Sequence, residues 1–277
     1  MYKSGGLTED IIDNFRKIIY NYFKQFGRNF PFRNDINPYN VLISEIMLQQ
    51  TQTNRVSQKF LEFIKEYPDF YSLANAPNEN ILKIWQGLGY NRRALALKII
   101  AKKVIEEYND ILPDSIDVLK TFPQIGNNTA SSIVTFAYNK PTYFIETNIR
   151  RVYIYFFFPN KLKIDDKDIM EILKNTIDIN NPRKWYYALM DYGVMLKKSH
   201  PELHKRSKHY KKQSKFKGSN RQIRGLIIKR LLEEKKMIKE ELIKILGFSE
   251  KRTINIIKQL EDEGFLIIKD KEITISK

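Results

Sequence analysis

The sequence predicts a mainly α protein: a helical domain over residues 1–198, a basic linker over 199–220 and a small α+β module over 221–277. Three observations predict it. Up to about residue 196, apolar residues recur at helical spacing between polar or proline-marked breaks, with no sustained strand alternation and no internal repeat. From Lys197 to Arg224 there are eleven Lys or Arg against a single acid, Glu202. The chain then closes on "GFLIIKDKEITIS", two short β-rich runs around a charged turn.

The elements follow in order. Glu9 to Phe26 is amphipathic, with Ile11, Ile12, Phe15, Ile18, Ile19, Tyr22 and Phe23 on one side. Pro38 suits the first turn of the next helix, which carries Glu45. Further helical periods cover 54–67, 79–87, 91–108, 115–121, 127–138, 147–157, 166–176 and 182–198. After the basic stretch come helices at Arg221–Glu234, Ile238–Leu246 and, past a Gly-Phe-Ser turn, Glu250–Glu263. Helix, helix–turn–helix and β-wing is the order of a winged helix-turn-helix. Such modules place the last helix in the major groove of DNA, which would face Lys251, Arg252, Asn255 and Lys258 toward it. The same module also serves as a protein-binding unit, and the sequence leaves both uses open.

Composition narrows the partners. With 277 residues, 42% of them apolar, the chain can bury a sizeable core. Its 48 Lys plus Arg against 32 Asp plus Glu give +16. So basic a protein points to a polyanion, nucleic acid first. Membrane is disfavoured because no stretch approaches the ~20 apolar residues of a span. The N-terminus lacks the apolar core of a secretory signal, so a cytoplasmic, intracellular protein is expected. There is no cysteine. That excludes disulfides, thiol nucleophiles and metal sites built on thiolates. His200, His204 and His209 all lie in the basic stretch without a carboxylate cluster to frame a metal, so none is expected. The stretch itself reads either as a strap for phosphates or as a solvated linker.

Two motifs carry chemistry. "ISEIMLQQTQ" (43–52) sets Glu45 among Val41, Leu42, Ile46 and Leu48, where an acid is almost never fully buried without a partner, and follows it with amides. "FPQIGNNTASSIV" (122–134) places Gly126 in a tight turn that would aim backbone N–H groups outward at the start of a helix, a ready anion site. Roughly twenty residues on, "YFIETNIRRV" (143–152) puts Glu146 and Asn148 after an apolar run and before Arg150 and Arg151.

Together with "FPFR" (30–33), "LANAP" (73–77) and "WQGLGYNRRA" (85–94), these stretches resemble the helix-hairpin-helix DNA glycosylases, and within them the adenine glycosylases related to MutY. The resemblance covers residues 28 to 197. It implies a two-lobed helical glycosylase domain that hydrolyses the N-glycosidic bond of a flipped-out, mispaired adenine in double-stranded DNA, acting as a monomer. It implies roles as well. Glu45 as a carboxylic acid would protonate the purine at N7, and Glu146 would stand where relatives have an aspartate facing the sugar. Asn148 and Asn128 would support the pocket. Gln49, Gln50 and Thr51 would contact bases, Tyr90 would be the wedge, and Gly126 and Thr129 would hold a phosphate.

Departures qualify the resemblance. The family commonly holds a [4Fe–4S] cluster on four cysteines after the segment matching "MDYGVMLKK" (190–198); here no cluster is possible, and a monovalent cation at the hairpin is the one ion left open. Asn128 stands where bifunctional relatives carry a lysine, so no Schiff base is expected and simple hydrolysis is favoured. Gln124 replaces a hairpin glycine. A winged helix replaces the Nudix-like domain that reads 8-oxoguanine, which leaves the opposing base open. Two alternatives stand beside this reading: a mismatch thymine or uracil glycosylase on the same scaffold, and a catalytically weak winged-helix DNA-binding protein.

Overall fold

A computed structural model describes residues 6–210 and 215–276. In chain order the elements are α1 (Glu9–Phe26), α2 (Pro31–Asn34), α3 (Pro38–Leu48), α4 (Thr53–Glu66), α5 (Phe70–Asn75), α6 (Asn78–Trp85), α7 (Arg92–Tyr108) and α8 (Ile116–Leu119). They continue with α9 (Asn127–Tyr138), α10 (Thr147–Phe157), α11 (Asp166–Thr176), α12 (Pro182–Ser199) and a 3-10 turn at Leu203–Arg206. The C-terminal part adds α13 (Asn220–Glu234), β1 (Lys236–Ile238), α14 (Lys239–Leu246), α15 (Glu250–Asp262), β2 (Leu266–Lys269) and β3 (Glu272–Ile275). The protein is therefore mostly helical with a small α+β C-terminal part. Among the described residues no helix is long and apolar enough to cross a membrane.

The helix ends follow local chemistry. Thr8 caps α1 by accepting from the Ile11 N–H, and Glu9 and Asp10 sit in the positively polarised first turn. Asn37 does the same for α3, its Oδ1 accepting from the Asn40 N–H at 2.8 Å. At their C-terminal ends α7 and α9 stop on Asn109 and Asn139, both left-handed, the conformation that asparagine tolerates best after glycine.

The chain divides into two compact units, Met1–Glu45 with Pro113–Lys212 and Ile46–Leu112 with Gln213–Lys277. In the first, Phe15 of α1 meets Tyr153, Phe156, Phe157 and Trp185 edge-on, at centroid distances of 5.6, 5.1, 4.9 and 5.5 Å. Edge-to-face contacts of this kind add to simple burial. Helices α10 and α12 touch at Gly193, where a Cβ would stand 2.7 Å from the backbone carbonyl carbon of Asn148. The Arg151 guanidinium closes the same junction, donating to the Gly193 carbonyl at 2.9 Å and to Asn148 Oδ1 at 2.8 Å.

The second unit combines α4–α7 with the C-terminal module. In the module, α13, α14 and α15 pack on a three-stranded antiparallel sheet of order β1-β3-β2. Asp270 and Lys271 both have positive φ, as a two-residue type I′ hairpin turn requires. Glu263 receives Arg92 and Arg224 together, Lys235 pairs with Glu79, and the Asn78 amide donates to the Ser276 hydroxyl at 3.1 Å.

Part of the basic stretch is packed. Ser207 bridges to Ile164, Lys208 Nζ meets Asp165 at 2.9 Å, and Arg206 donates to the carbonyls of Phe158 and Lys161. Lys197, Lys198, Lys205, Lys215 and Lys217 are exposed, while 211–214 lies outside the described residues.

The α10–α12 junction gives the first expected outcome. Gly193→Ala should destabilise the protein by about 1–3 kcal/mol, the usual range for overpacking. Denaturant unfolding measures it; an unchanged midpoint would mean the helices are not pressed together at that residue.

Candidate active site

In the first unit, Glu45 lies on α3, flanked in the chain by the buried Leu42, Ile43, Ile46 and Met47. Burial pushes its carboxyl up to about 7; the Ser132 hydroxyl and the Arg33 guanidinium pull it down, and the Glu146 charge pushes it up. Arg33 is itself bound to another carboxylate. Its two terminal nitrogens donate to Asp191 at 3.0 Å each, and Arg28 adds two more side-chain contacts to the same carboxylate, at 2.8 Å from Nε and 2.6 Å from Nη2.

The hydrogens around Ser132 can be counted. Its Oγ lies 2.5 Å from Glu45 Oε2 and 3.0 Å from the Thr129 carbonyl oxygen. A carbonyl only accepts, and a hydroxyl has one hydrogen. When Ser132 donates to Thr129, the short contact can be a hydrogen bond only if Glu45 carries the proton. The geometry thus accommodates Glu45 as the acid.

Glu146 is the N-cap of α10 and is held differently. Its Oε1 accepts from the backbone N–H groups of Asn148 and Ile149 at 2.7 and 2.9 Å, and the Asn148 side-chain amide reaches Oε2 at 3.2 Å. Burial raises its pKa, against those backbone hydrogen bonds and the charges of Arg151 and Arg150. The Asn148 amide is fixed at its other end by Arg151, and the Asn128 amide donates to the Ile145 carbonyl at 2.9 Å, tying the start of α9 to the residue before Glu146.

The hairpin turn departs from expectation in one respect. The left-handed residue is Gln124, with φ 63°, whereas Gly126 has φ −91° and serves as the N-cap of α9. No side chain caps that helix, and apart from its chain neighbours no described atom lies within 4 Å of where a Gly126 Cβ would stand. Thr129 sits in the same first turn.

In the second unit the predicted DNA contacts cluster around a buried arginine. Arg93 Nη1 donates to the carbonyls of Ile46, Met47 and Gln49 at 2.8, 2.9 and 2.6 Å. Its Nη2 reaches the Thr51 hydroxyl at 3.1 Å and the Leu88 and Gly89 carbonyls at 3.2 and 2.9 Å. One guanidinium therefore fixes both the loop with Gln49, Gln50 and Thr51 and the turn with Tyr90. Burial lowers its pKa to about 10, which leaves it charged at neutral pH. Tyr90 and Gln50 are both left-handed, and the phenol donates to Gln50 Oε1 at 2.8 Å. In the module, Lys251 is exposed, whereas the Arg252 guanidinium is turned onto Asn220 Oδ1 and the Gly218 carbonyl at 2.7 and 2.8 Å.

A family model described as "HhH-GPD superfamily base excision DNA repair protein" matches residues 43–178. The chain belongs to the HhH-GPD superfamily. Over 194 residues it is 36% identical to an adenine DNA glycosylase of Buchnera aphidicola subsp. Baizongia pistaciae, covering 68% of this chain and 54% of that protein. A thermostable thymine-DNA glycosylase superposes with a TM-score of 0.58 at 24% identity, covering 66% of this chain and 88% of the other. A non-covalent endonuclease III–DNA complex gives 0.56 at 19%, covering 68% and 86%. At such identities the two structures share the fold. The chain spans about half the length of the curated relatives it matches.

The HhH-GPD match includes Glu45, Ser132, Glu146, Asn128 and Asn148 but neither Arg33 nor Asp191. With no cysteine, the donor set does not fit the iron–sulfur cluster common in the superfamily. Among the described residues no group of three or more His, Cys, Asp or Glu is placed to hold a metal. Sequence reasoning missed four residues: Arg33, Arg93, Ser132 and Asp191. Asp191 carried a usable signal, an acid within the apolar run "ALMDYGVML", the same oddity that marked Glu45.

The raised Glu45 pKa makes stability pH-dependent. Folded Glu45 keeps its proton up to about pH 7, whereas the unfolded chain releases it near 4.5. Its contribution is complete below pH 4.5 and is lost as pH rises through 7. Glu45→Gln should therefore gain thermal stability relative to the wild type between pH 5 and pH 8. Parallel melting curves at both pH values would show that Glu45 ionises normally.

Proposed function

We propose that this chain is a monofunctional DNA N-glycosylase that removes a flipped-out base from a mispair in double-stranded DNA inside the cell, adenine opposite guanine or 8-oxoguanine first among the choices. The observation that carries the reading is the pairing of a Glu45 that holds its proton near neutrality with a Glu146 held as an acceptor by three N–H donors. The adenine DNA glycosylase relative directs the choice of base.

The mechanism follows from these two groups. The base leaves the stack at a cost of roughly a few kcal/mol. Glu45 gives its proton to N7 of the purine, and electrons of the C1′–N9 bond pass into the ring as that bond breaks. Positive charge develops on the deoxyribose, and the Glu146 carboxylate stabilises it, the kind of electrostatic help that is often the largest catalytic contribution. Water adds to C1′, and its proton passes to Glu146. The products are the free base and an abasic sugar. Asn128 offers an amide where a lyase needs an amine, so the strand stays intact. The uncapped start of α9 would receive a backbone phosphate, and the exposed lysines would supply the sequence-independent attraction. A single chain contains both carboxylates, so a monomer suffices.

A panel of duplexes bearing A, T, U or hypoxanthine opposite G, C or 8-oxoguanine, cleaved with hot alkali after incubation, tests the substrate. Excision of adenine alone is expected; cleavage without alkali would mean lyase chemistry. In single-turnover assays Glu45→Gln should lower excision by about 10²-fold or more with binding preserved. Equal losses in rate and binding would make Glu45 structural.

The rate profile should be bell-shaped. Glu146 must be ionised and Glu45 protonated, so activity should rise at a pH above the ordinary carboxylate range and fall near 7. Glu146→Gln should nearly abolish excision, whereas Glu146→Asp should keep measurable activity because the charge survives. Indifference to both would remove Glu146 from the reaction.

A further inference from the structure

The second unit contains an unbroken chain of contacts from the Tyr90 turn to the start of α15. Tyr90 donates to Gln50 Oε1 at 2.8 Å, and Arg221 Nη1 donates to the Tyr90 hydroxyl at 3.1 Å, its guanidinium 5.9 Å from the ring centroid. One residue back, Asn220 Oδ1 accepts from Arg252, and the Gly218 carbonyl accepts from the same guanidinium. Beside this chain stand the exposed Lys215, Lys217 and Lys251, with Phe216 61% exposed between the first two.

A purely structural reading would make these contacts the glue between the module and α6–α7. The seam already has such glue in Glu263, whose carboxylate pairs with both Arg92 and Arg224. Arg252 is different: its contacts are a carbonyl and an amide oxygen, and among the described residues no carboxylate pairs with it. Strain points the same way. Gln50 and Tyr90 are held at φ 54° and 50°, a conformation that is strained for residues with side chains and that clusters at ligand clamps. The result is a strained aromatic tip connected to a cationic turn and then to the helix with which winged modules enter a groove.

We propose that the 215–221 turn joins the Tyr90 tip and the N-terminal end of α15 into one continuous surface that binds a single DNA duplex, with Arg221 bringing its cation to the tip itself. The C-terminal module then acts on the same duplex as the tip, a fixed distance along it, and extends the footprint to one side only. This rests on the DNA-binding part of the functional reading and not on excision.

The test uses the full chain and three duplexes carrying a tetrahydrofuran abasic analogue. One has long flanks on both sides, and the others are cut back close to the analogue on one side or the other. Binding is followed by fluorescence anisotropy against salt. On the long duplex, Lys217→Gln and Lys251→Gln should each lower the salt slope by roughly 0.9, the value for one phosphate contact on duplex DNA. That decrement should vanish on one truncated duplex and survive on the other. Arg221→Gln should weaken binding to all three by about two- to fivefold, the scale of an exposed cation–aromatic contact. Decrements that persist on both truncated duplexes, or are absent from all three, would overturn the continuous surface, as would an Arg221 variant indistinguishable from wild type. A wild type that binds the analogue no better than intact duplex would count against the glycosylase reading alone, and the slopes would still decide the surface.

Discussion

A charge taken out of water must be met by another charge or by enough dipoles, and that constraint organises both units. Asp191, 2% exposed, is met by Arg28 and Arg33. Arg93, equally buried, is met by five carbonyl oxygens and the Thr51 hydroxyl. Glu45 is the exception. The cation nearest to it in effect, Arg33, is already committed to Asp191, and its one hydrogen-bond partner described here is a neutral hydroxyl. Where the rule cannot be met by pairing it is met by neutralisation. The acid keeps its proton.

The same constraint builds the tip. Carbonyl oxygens at the end of α3 and in the turn after α6 would otherwise lack helical partners, and a guanidinium offers donors in a rigid fork. Arg93 takes both sets at once, so the two loops are located relative to each other by one side chain. Lysine could not do this, because its ammonium is a single point of donation. With the loops clamped, Gln50 and Tyr90 can be kept left-handed, since the surrounding bonds over-determine a conformation that neither residue favours.

Much of this was legible in the sequence, for identifiable reasons. The helices at 9–26, 127–138, 147–157 and 166–176 have the predicted bounds because capping residues or polar breaks mark their ends. Helices α2 and α5 escaped because four and six residues are too few to show a period, and β1 because three residues show no alternation. Glu45 was legible as an acid in an apolar run. Ser132 was not, since its contact joins residues 87 apart in the chain. Nor could the pair "RR" say which arginine would be buried: Arg92 faces Glu263 with its side chain 57% exposed, while Arg93 turns inward. The grouping of the C-terminal module with 46–112 depends on such long-range pairs and leaves no local trace.

The two carboxylates also explain why their proposed roles do not exchange. The family resemblance implies an aspartate where this chain has Glu146, whose additional methylene lengthens the reach of the charge. Here the longer side chain turns back over the start of its own helix, with one oxygen on two backbone N–H groups and the other on the Asn148 amide. A helix N-terminus favours an anion, and Arg150 and Arg151 add to that preference, so these effects offset part of the upward shift that burial imposes on Glu146. Glu45 has none of these donors. The Glu146 charge raises the cost of ionising Glu45, and of the two carboxyls Glu45 is the one with fewer donors. The charge of Glu146 is thus part of what keeps Glu45 an acid.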